Sequence, residues 1–598
     1  MNEPPSVSKT PLRHPEIWLV SVLVGLVAGL GAAAFRLLIG GIHNLFFLGR
    51  FSFVYNANLH TPVGPWGPWI ILAPVIGALG VAFLIKTFAP EAKGNGVPEV
   101  MEAIYYEKGA IRPMVALIKP LASALSIGSG GSAGREGPIV QIGSAFGSAV
   151  GRMLHLPSWQ RITMVAAGAG GGIAATFNTP VGGILFAAEL LLPEISARTL
   201  IPVALATITA TYIGQVLLSA NPSFVLPGFE TQNFHSNNIM VLLACVVLGG
   251  LLGIVSAVFI KSIYRCEDFF EQKVSKNYYV RHLLGMLLVG ILIYLTQAQF
   301  GHYYIEGVSY STVQDVLAGT LSIGSLLLLL FVLKVVVTAL TLGSGGSGGI
   351  FSPALFLGAT FGGAFGLLFK AVFPHLPISL SAFAVVGMAG VVGSVTGAAL
   401  TAIVMTFEMT LDYQMILPIV ATVAVSYGVR KVFLKRSIYT LKLVRRGQPV
   451  PEALQANSWL VRQARDYMDH QVAVVPASAP LDSLTQTLSA TVQPHWLVVE
   501  DNGEPAGVIE VATLAELIQR SAGLSLREAA RKDYEVVGER TAVFELISRA
   551  RARQPGFFLV VSQAGVQTNT VLARDIKGVI SKPEISEIMF QAIIPSTE

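Results

Sequence analysis

Charged residues are scarce in this chain. Aspartate, glutamate, lysine and arginine make up 13% of its 598 residues, about half of the roughly 25% that is typical of soluble domains. Hydrophobic residues make up 53%, and the mean hydropathy is +0.63. The composition therefore excludes an ordinary soluble protein and predicts a chain that lies largely within a membrane.

Cysteine is also scarce, since Cys245 and Cys266 are the two in the whole sequence. This excludes a disulfide framework, and we interpret both as inert thiols. The sequence has no His and Cys cluster with the spacing of zinc ligands, and no glycine loop with the Gly-Lys-Ser/Thr ending of a phosphate-binding loop. We therefore expect no metal, no cofactor and no enzymatic activity.

Long apolar runs dominate the first three quarters of the sequence. A membrane-spanning helix needs roughly 20 apolar residues, but several of these runs are shorter and interrupted by glycine. Broken helices are tolerated at membrane depth only where protein or a water-filled cavity covers them. The pattern therefore predicts an all-α, multi-pass membrane domain of a pore or transporter. The runs are Ile17–Leu38, Trp69–Leu84, Met240–Ile260, His282–Leu295 and Ile323–Leu342.

Composition divides the chain into four parts: an N-terminal tail (1–15), a membrane domain (16–448), a linker (449–460) and a soluble α/β domain (461–598).

Basic residues follow the last apolar run, which places this side of the membrane domain in the cytoplasm. We expect both termini there, in an inner or plasma membrane. Basic residues on the cytoplasmic side of the lipid bilayer account for the net charge of +5, so no nucleic-acid partner is expected. The basic residues are Arg430, Lys431, Lys435, Arg436, Lys442, Arg445 and Arg446.

The membrane domain repeats internally. Gly128–Pro138 and Gly343–Pro353 align without a gap, and each precedes a Gly-rich helical pattern. Both copies then reach an apolar run that closes on a glutamate, Glu189 or Glu408. Transporters built from two related halves bind their substrate at the interface between them. The sequence leaves open whether the halves are inverted.

The two glycine stretches are suited to binding an anion. Glycine leaves its N–H uncovered by a side chain, and the N-terminus of a helix carries partial positive charge. Gly94–Glu99 is a third such stretch, with proline in the first turn of the following helix. Glycine in membrane helices also serves close packing, but two matching copies and a third candidate favour one anion site.

Residues 94–99 (Gly-Asn-Gly-Val-Pro-Glu), 134–138 (Gly-Arg-Glu-Gly-Pro) and 349–353 (Gly-Ile-Phe-Ser-Pro) resemble, in the same order, three signature motifs of the CLC family. This family comprises chloride channels and chloride/proton exchangers. Residues 437–439 (Ser-Ile-Tyr) resemble its pore tyrosine, and the similarity covers about 16–445. The resemblance implies a homodimer with a separate chloride pathway in each subunit.

The resemblance also assigns residue roles. Glu136 corresponds to the gating glutamate, whose carboxylate competes with chloride for a site made of amides; the alternative is a structural pair with Arg135. Tyr439 corresponds to the pore tyrosine, although a tyrosine among basic residues also anchors at a membrane interface. Asn95 stands where chloride-selective members often have serine, which leaves the anion selectivity open. The implied chloride-binding residues are Asn95, Gly134, Arg135, Gly137, Gly349, Ile350, Phe351 and Tyr439.

A proton pathway is less clearly indicated. Many exchangers of the family carry a cytoplasm-facing glutamate after an Asn-x-Pro motif, and aligning Asn178-Thr179-Pro180 puts Leu190 at that position, with Glu189 one residue earlier. Glu136, Glu189 and Leu190 are therefore the candidate positions for proton movement. Because leucine carries no proton, the sequence leans slightly toward a passive chloride channel, with chloride/proton antiport as the alternative.

The soluble domain resembles a degenerate pair of CBS modules. Segments 466–468, 496–500 and 507–509 resemble the first module, and 526–530 and 557–576 resemble the second. Nucleotide-binding modules carry a Ser/Thr and an Asp after the last strand; here the second module has Leu572 and Asp575, and the first has Glu510 and Thr513. We therefore expect a structural or dimerising domain with little nucleotide binding.

Overall fold

The computed structural model describes residues 11–218, 224, 239–375, 379–450, 462–479, 494–514, 525–562 and 571–586. The chain forms two compact units, Met1–Gln455 and Ala456–Glu598. The predicted tail (1–15) and linker (449–460) lie largely outside the described residues, so their bounds stay predictions.

The described part of the first unit is helical. Short 3-10 turns occur at Gly67–Ile71, Pro90–Ala92 and Tyr413–Met415, and a π-helical turn, Phe270–Val274, continues α9. The α-helices are α1 (His14–Leu48), α2 (Leu72–Phe88), α3 (Val97–Tyr105), α4 (Pro113–Gly128), α5 (Glu136–Met153), α6 (Ser158–Phe177), α7 (Pro180–Leu190), α8 (Ala197–Leu217), α9 (Ile239–Phe269), α10 (Tyr278–Phe300), α11 (Tyr310–Leu317), α12 (Gly324–Ser344), α13 (Phe351–Val372), α14 (Leu380–Thr396), α15 (Ala399–Thr410), α16 (Ile416–Phe433) and α17 (Ile438–Arg445).

Within the described ranges, eight helical segments are long and apolar enough to cross a membrane. The predicted apolar runs lie in or across α1, α2, α9, α10 and α12. Four further apolar helices, α4, α7, α14 and α15, have 10–17 residues, which is too short for an unassisted span. The predicted multi-pass fold with broken helices is confirmed.

The two halves of the membrane unit pack in the same way. α5 crosses α6 at Gly143 and Gly168, where a Cβ on Gly143 would lie 2.0 Å from the Gly168 carbonyl oxygen. α13 crosses α14 at Gly358 and Gly387, where the corresponding distance is 2.3 Å. Gly143 and Gly358 occupy matching positions in the repeat. Glycine is required at both crossings because any side chain would force the helices apart.

The halves are inverted relative to each other. Glu189, near the end of α7, accepts hydrogen bonds from the Leu400 and Thr401 amides (2.9 and 2.7 Å) in the first turn of α15. Glu408, near the end of α15, accepts from the Val181 and Gly182 amides (3.0 and 2.7 Å) in the first turn of α7. The C-terminal end of each helix therefore contacts the N-terminal end of the other, so the two equivalent helices run antiparallel. The orientation that the sequence left open is therefore settled.

The described part of the second unit contains two sheets of the same topology. In each, the first two strands are parallel and the third is antiparallel to the second. One sheet comprises β1 (Val472–Pro476), β2 (Trp496–Asp501) and β3 (Glu504–Glu510); the other comprises β4 (Tyr534–Gly538), β5 (Phe557–Val561) and β6 (Ile576–Ser581). Its helices include α18 (Leu526–Ala529) and α19 (Val543–Arg553).

The packing of the second unit adds a feature that the sequence comparison did not predict. Met468, assigned from sequence to the first module, packs with Val560 and Ile580 of the second sheet. Leu526, assigned to the second module, packs with Leu497 and Ile509 of the first sheet. The segment that precedes each sheet therefore covers the other sheet, an exchange between neighbours that a segment-by-segment comparison does not reveal.

Candidate anion site

Three helix N-termini meet in the middle of the membrane unit. Gly96, Arg135 and Ile350 directly precede α3, α5 and α13. None of these residues has a side-chain acceptor, so they leave the first-turn amides available to a ligand. Gly134 and Gly349, which occupy the same position in the two glycine stretches, exchange backbone hydrogen bonds of 2.7 and 2.6 Å. This reciprocal pair brings the starts of α5 and α13 together.

The third glycine stretch packs against the other two. The Gly94 amide donates to the Gly346 carbonyl, and the Gly348 amide donates to the Gly94 carbonyl, both at 3.1 Å. A Cβ on Gly137 would lie 1.7 Å from the carbonyl oxygen of Asn95. The structure thus brings together Asn95, Gly134, Gly137 and Gly349 of the predicted chloride-binding set.

The Glu136 carboxyl group lies at this meeting point. Its side chain is buried, and its Oε1 atom accepts hydrogen bonds from the Tyr310 hydroxyl (3.1 Å) and the Ser352 hydroxyl. Its Oε2 atom lies over Gly134, where a Cβ would be only 1.9 Å away. The one carboxylate of the repeat stretches is therefore held among helix N-termini, where a second anion would have to compete with it.

Arg135 contributes to the walls of the site. Its guanidinium donates to the Thr176 carbonyl (3.3 Å) and lies over the rings of Phe177 and Tyr310, 5.9 and 5.1 Å from their centroids. Among the salt bridges of the described residues, none joins Arg135 to Glu136. The geometry therefore does not favour the alternative in which these neighbours form a structural pair.

Two fully buried lysines anchor the loops around the site. Lys119 donates to the carbonyls of Ala92 and Gly94 (2.9 and 2.6 Å), just before α3. Lys334 donates to the Gly307 carbonyl (3.2 Å) and the Ser309 hydroxyl (2.7 Å), just before α11. The two lysines precede α5 and α13 by the same number of residues. In each half, a buried lysine therefore holds the loop before a short helix, α3 or α11.

A cavity of about 290 Å³ leads to one side of the site, lined by Asn95, Ile350 and Ile438 among others. Its other lining residues include Lys93, Lys442, Arg445 and Arg446, each of which pairs with an acid; Lys442 to Glu99 is 2.7 Å. Glu267 and Glu271 also line it, so four cationic side chains face two carboxylates, and this net positive lining favours the entry of small anions.

Phe351 and Tyr439 complete the predicted set. Phe351 starts α13, and its ring lies 5.1 Å from that of Phe177. Tyr439 is buried in the first turn of α17, next to Ile438, whose carbonyl accepts from the Tyr264 hydroxyl (2.5 Å). Burial within the protein favours the pore position over the interface anchor.

Glu189 has structural partners. Besides the two α15 amides, its carboxylate accepts from the Thr401 hydroxyl (2.6 Å). Leu190 is buried at the end of α7. The capping contacts explain why an acid is found at position 189, and a role for Glu189 or Leu190 in proton movement stays a prediction.

Sequence reasoning assigned no role to Tyr310 or Ser352. Ser352 lies inside a recognised motif and could have been examined as a donor. Tyr310 follows Gly307-Val308-Ser309 and starts α11, just as Val97 follows a glycine-containing loop and starts α3. Extending the repeat comparison to this segment would have pointed to it.

The fold defines a multi-pass membrane protein with a candidate anion site at the interface of two inverted repeats. A family model described as "Voltage gated chloride channel" matches residues 76–431. The "H(+)/Cl(-) exchange transporter ClcA" of Vibrio cholerae serotype O1 is 32% identical over 436 residues, which cover 70% of this chain and 86% of that protein. The chain belongs to the voltage-gated chloride channel (CLC) family, as the motifs indicated, and is an anion-transport protein.

Solved structures show the same fold. A slow cyanobacterial Cl⁻/H⁺ antiporter has a TM-score of 0.63 and 26% identity, covering 73% of this chain and 99% of that chain. A eukaryotic CLC transporter has a TM-score of 0.59 and 20% identity, covering 95% of this chain and 98% of that chain. The second likeness concerns the fold alone.

Proposed function

We propose that this protein exchanges chloride for protons across a membrane. The observation that carries the proposal is the buried Glu136 carboxyl group among the N-termini of α5 and α13. Relatives at about 32% identity are named H(+)/Cl(-) exchange transporters, and a structure at 26% identity is titled as an antiporter. These relatives support antiport over the slight lean toward a passive channel.

The chemistry follows from competition between two anions. Ionised Glu136 occupies the amide site and blocks it. Protonation removes the charge, so the carboxyl group no longer competes with chloride for partial positive charge. Chloride that enters through the basic cavity then takes the site. A buried ionisable group in a membrane protein is costly and by default functional, and here the same side chain serves as gate and proton carrier.

Further parts of the proposal rest on the family resemblance. We infer a homodimer, with both termini in the cytoplasm, and chloride as the main anion, with the Asn95 amide as a donor near it. The second unit acts as a CBS-like structural domain whose repeated sheet topology supports a pair of modules, and nucleotides bind it weakly.

The test is transport in liposomes that contain a pH-sensitive dye. An imposed chloride gradient should drive protons uphill in the unmodified protein. Glu136→Gln keeps the shape and removes the charge, so chloride flux should persist, become insensitive to pH and no longer move protons. Glu91→Gln, which alters a carboxylate paired with Arg112 (2.9 Å), is the matched control. Chloride flux without proton movement in the unmodified protein would support the passive channel instead.

A further inference from the structure

Tyr310 forms a closed triangle of oxygens with Glu136 and Ser352. Its hydroxyl donates to Glu136 Oε1 (3.1 Å) and lies 2.7 Å from the Ser352 Oγ atom, which itself donates to the same Oε1. Glu136 Oε2 has no hydrogen-bond partner among the described residues. The carboxyl group is therefore held through one oxygen, by two hydroxyl groups from α11 and α13.

The number of protons in this triangle depends on the state of Glu136. When the carboxylate is ionised, the two hydroxyl protons both point to Oε1, and each hydrogen bond is strengthened by the charge. When the carboxyl is protonated, its own proton is a third donor, and the hydroxyl groups turn to accept it, since a hydroxyl both donates and accepts. Both states are satisfied, but the ionised one gains more from the two hydroxyl groups.

Tyr310 is held firmly in this position. Its ring lies between the Arg135 guanidinium (5.1 Å) and the Phe224 ring (5.0 Å). Ser309, which precedes it, has a left-handed backbone (φ 56°), and its hydroxyl accepts from buried Lys334. The phenol thus needs no reordering to meet the carboxylate, which is the condition for a strong effect.

We propose that Tyr310 is a positioning residue which, together with Ser352, holds the ionised Glu136 carboxylate in the anion site and thereby sets the pH at which chloride displaces it. The inference rests on the proposed function of Glu136. The other half of the repeat supports a specialised role for Tyr310. Its equivalent helix, α3, starts with Val97, which carries no hydroxyl group.

The test uses Tyr310→Phe, which keeps the ring and removes the hydroxyl. Losing a donor to the ionised carboxylate favours its protonation, so the pH midpoint of chloride efflux from liposomes should move to higher pH by about one unit. Ser352→Ala should move it in the same direction. Tyr106→Phe is the matched control, because the buried Tyr106 donates its hydroxyl to the Pro449 carbonyl (2.6 Å); its midpoint should stay unchanged.

A second comparison separates this role from a structural one. In the Glu136→Gln background, Tyr310→Phe should change the rate less than it does in the unmodified protein, since the charge that it acts on is gone. An unchanged midpoint in Tyr310→Phe, or an equal rate change with and without the charge at position 136, would overturn the inference. If the unmodified protein and Glu136→Gln already share one pH profile, the proposed gating by Glu136 fails instead.

Discussion

Glu189 offers the sharpest distinction between a structural acid and a proton relay. Its carboxylate accepts the Leu400 and Thr401 amides and the Thr401 hydroxyl at 2.6–2.9 Å, which makes it the acceptor at the start of α15. Removing a helix-capping acceptor costs about 1 kcal/mol, and the interaction of a partly buried charge with the helix dipole adds up to about 2 kcal/mol. We expect Glu189→Ala to lose about 2–3 kcal/mol of stability.

Glu189→Gln should lose less, since its amide oxygen still accepts, but it removes the charge. The assay pairs the Tm in detergent with transport in liposomes. We expect Glu189→Ala to lower the Tm by roughly 2–3 °C and Glu189→Gln to lower it by less than half of that. The ratio of protons to chloride should stay at the value of the unmodified protein in both variants, because the capping role moves no proton.

Glu408→Gln is the matched control, because Glu408 caps α7 in the same manner. The two glutamine variants should show similar Tm values and unchanged coupling. The reasoning would be refuted if Glu189→Gln were as stable as the unmodified protein but moved chloride without protons, while Glu408→Gln kept its coupling. Glu189 would then be the relay that the aligned position of Leu190 lacks.

Three other predictions concern the remaining parts of the chain. Tyr439→Phe should weaken chloride binding by roughly ten- to a hundredfold, since a hydrogen bond to a charged group contributes about 1.5–3 kcal/mol; calorimetry measures this, and unchanged affinity would return Tyr439 to an interface role. A chain ended at residue 450 should still transport chloride in liposomes, because the membrane unit is compact by itself; an inactive but folded product would contradict this. Burial alone would raise the pKa of Asp469, but the Gln471 amide and His495 lower it below its ordinary value. The carboxylate therefore stabilises the fold above the ordinary pKa of about 3.9 and loses this effect as pH falls through the lowered value. Asp469→Asn should destabilise the protein by at most about 1 kcal/mol at pH 7 and by progressively less as the pH falls below the ordinary pKa in thermal unfolding; an equal loss at neutral and acidic pH would exclude the ionic contribution.

Much of the membrane fold follows from local sequence. The length of an apolar run identifies a long helix. Glycine identifies the helix crossings, since two helices whose backbones touch leave no room for a side chain, as at Gly143 and Gly358. Glu136 stands out as an acid in an apolar repeat. These features are readable because each depends on residues close together in the chain.

The features that sequence did not reveal depend on contacts between distant segments. Glu189 and Leu400 belong to different halves, so the cap between them is invisible until the halves are folded together. Tyr310 meets Glu136 across a similar separation. The exchanged packing of Met468 and Leu526 in the second unit has the same origin. Local patterns identified the residue types, and the three-dimensional structure identified their partners.

The inverted symmetry itself explains why the anion site is where it is. Gly134 and Gly349 pair at equivalent positions, so the positive ends of α5 and α13 face each other across the axis of the repeat. The two halves together supply the N-termini of two helices to one anion site. The two stretches differ at four aligned positions, and one of these differences places Glu136 at the start of α5 where α13 begins with Phe351. The pair of related stretches thereby gains one carboxyl group, and in the proposed exchange mechanism that carboxyl group links the binding of an anion to the binding of a proton.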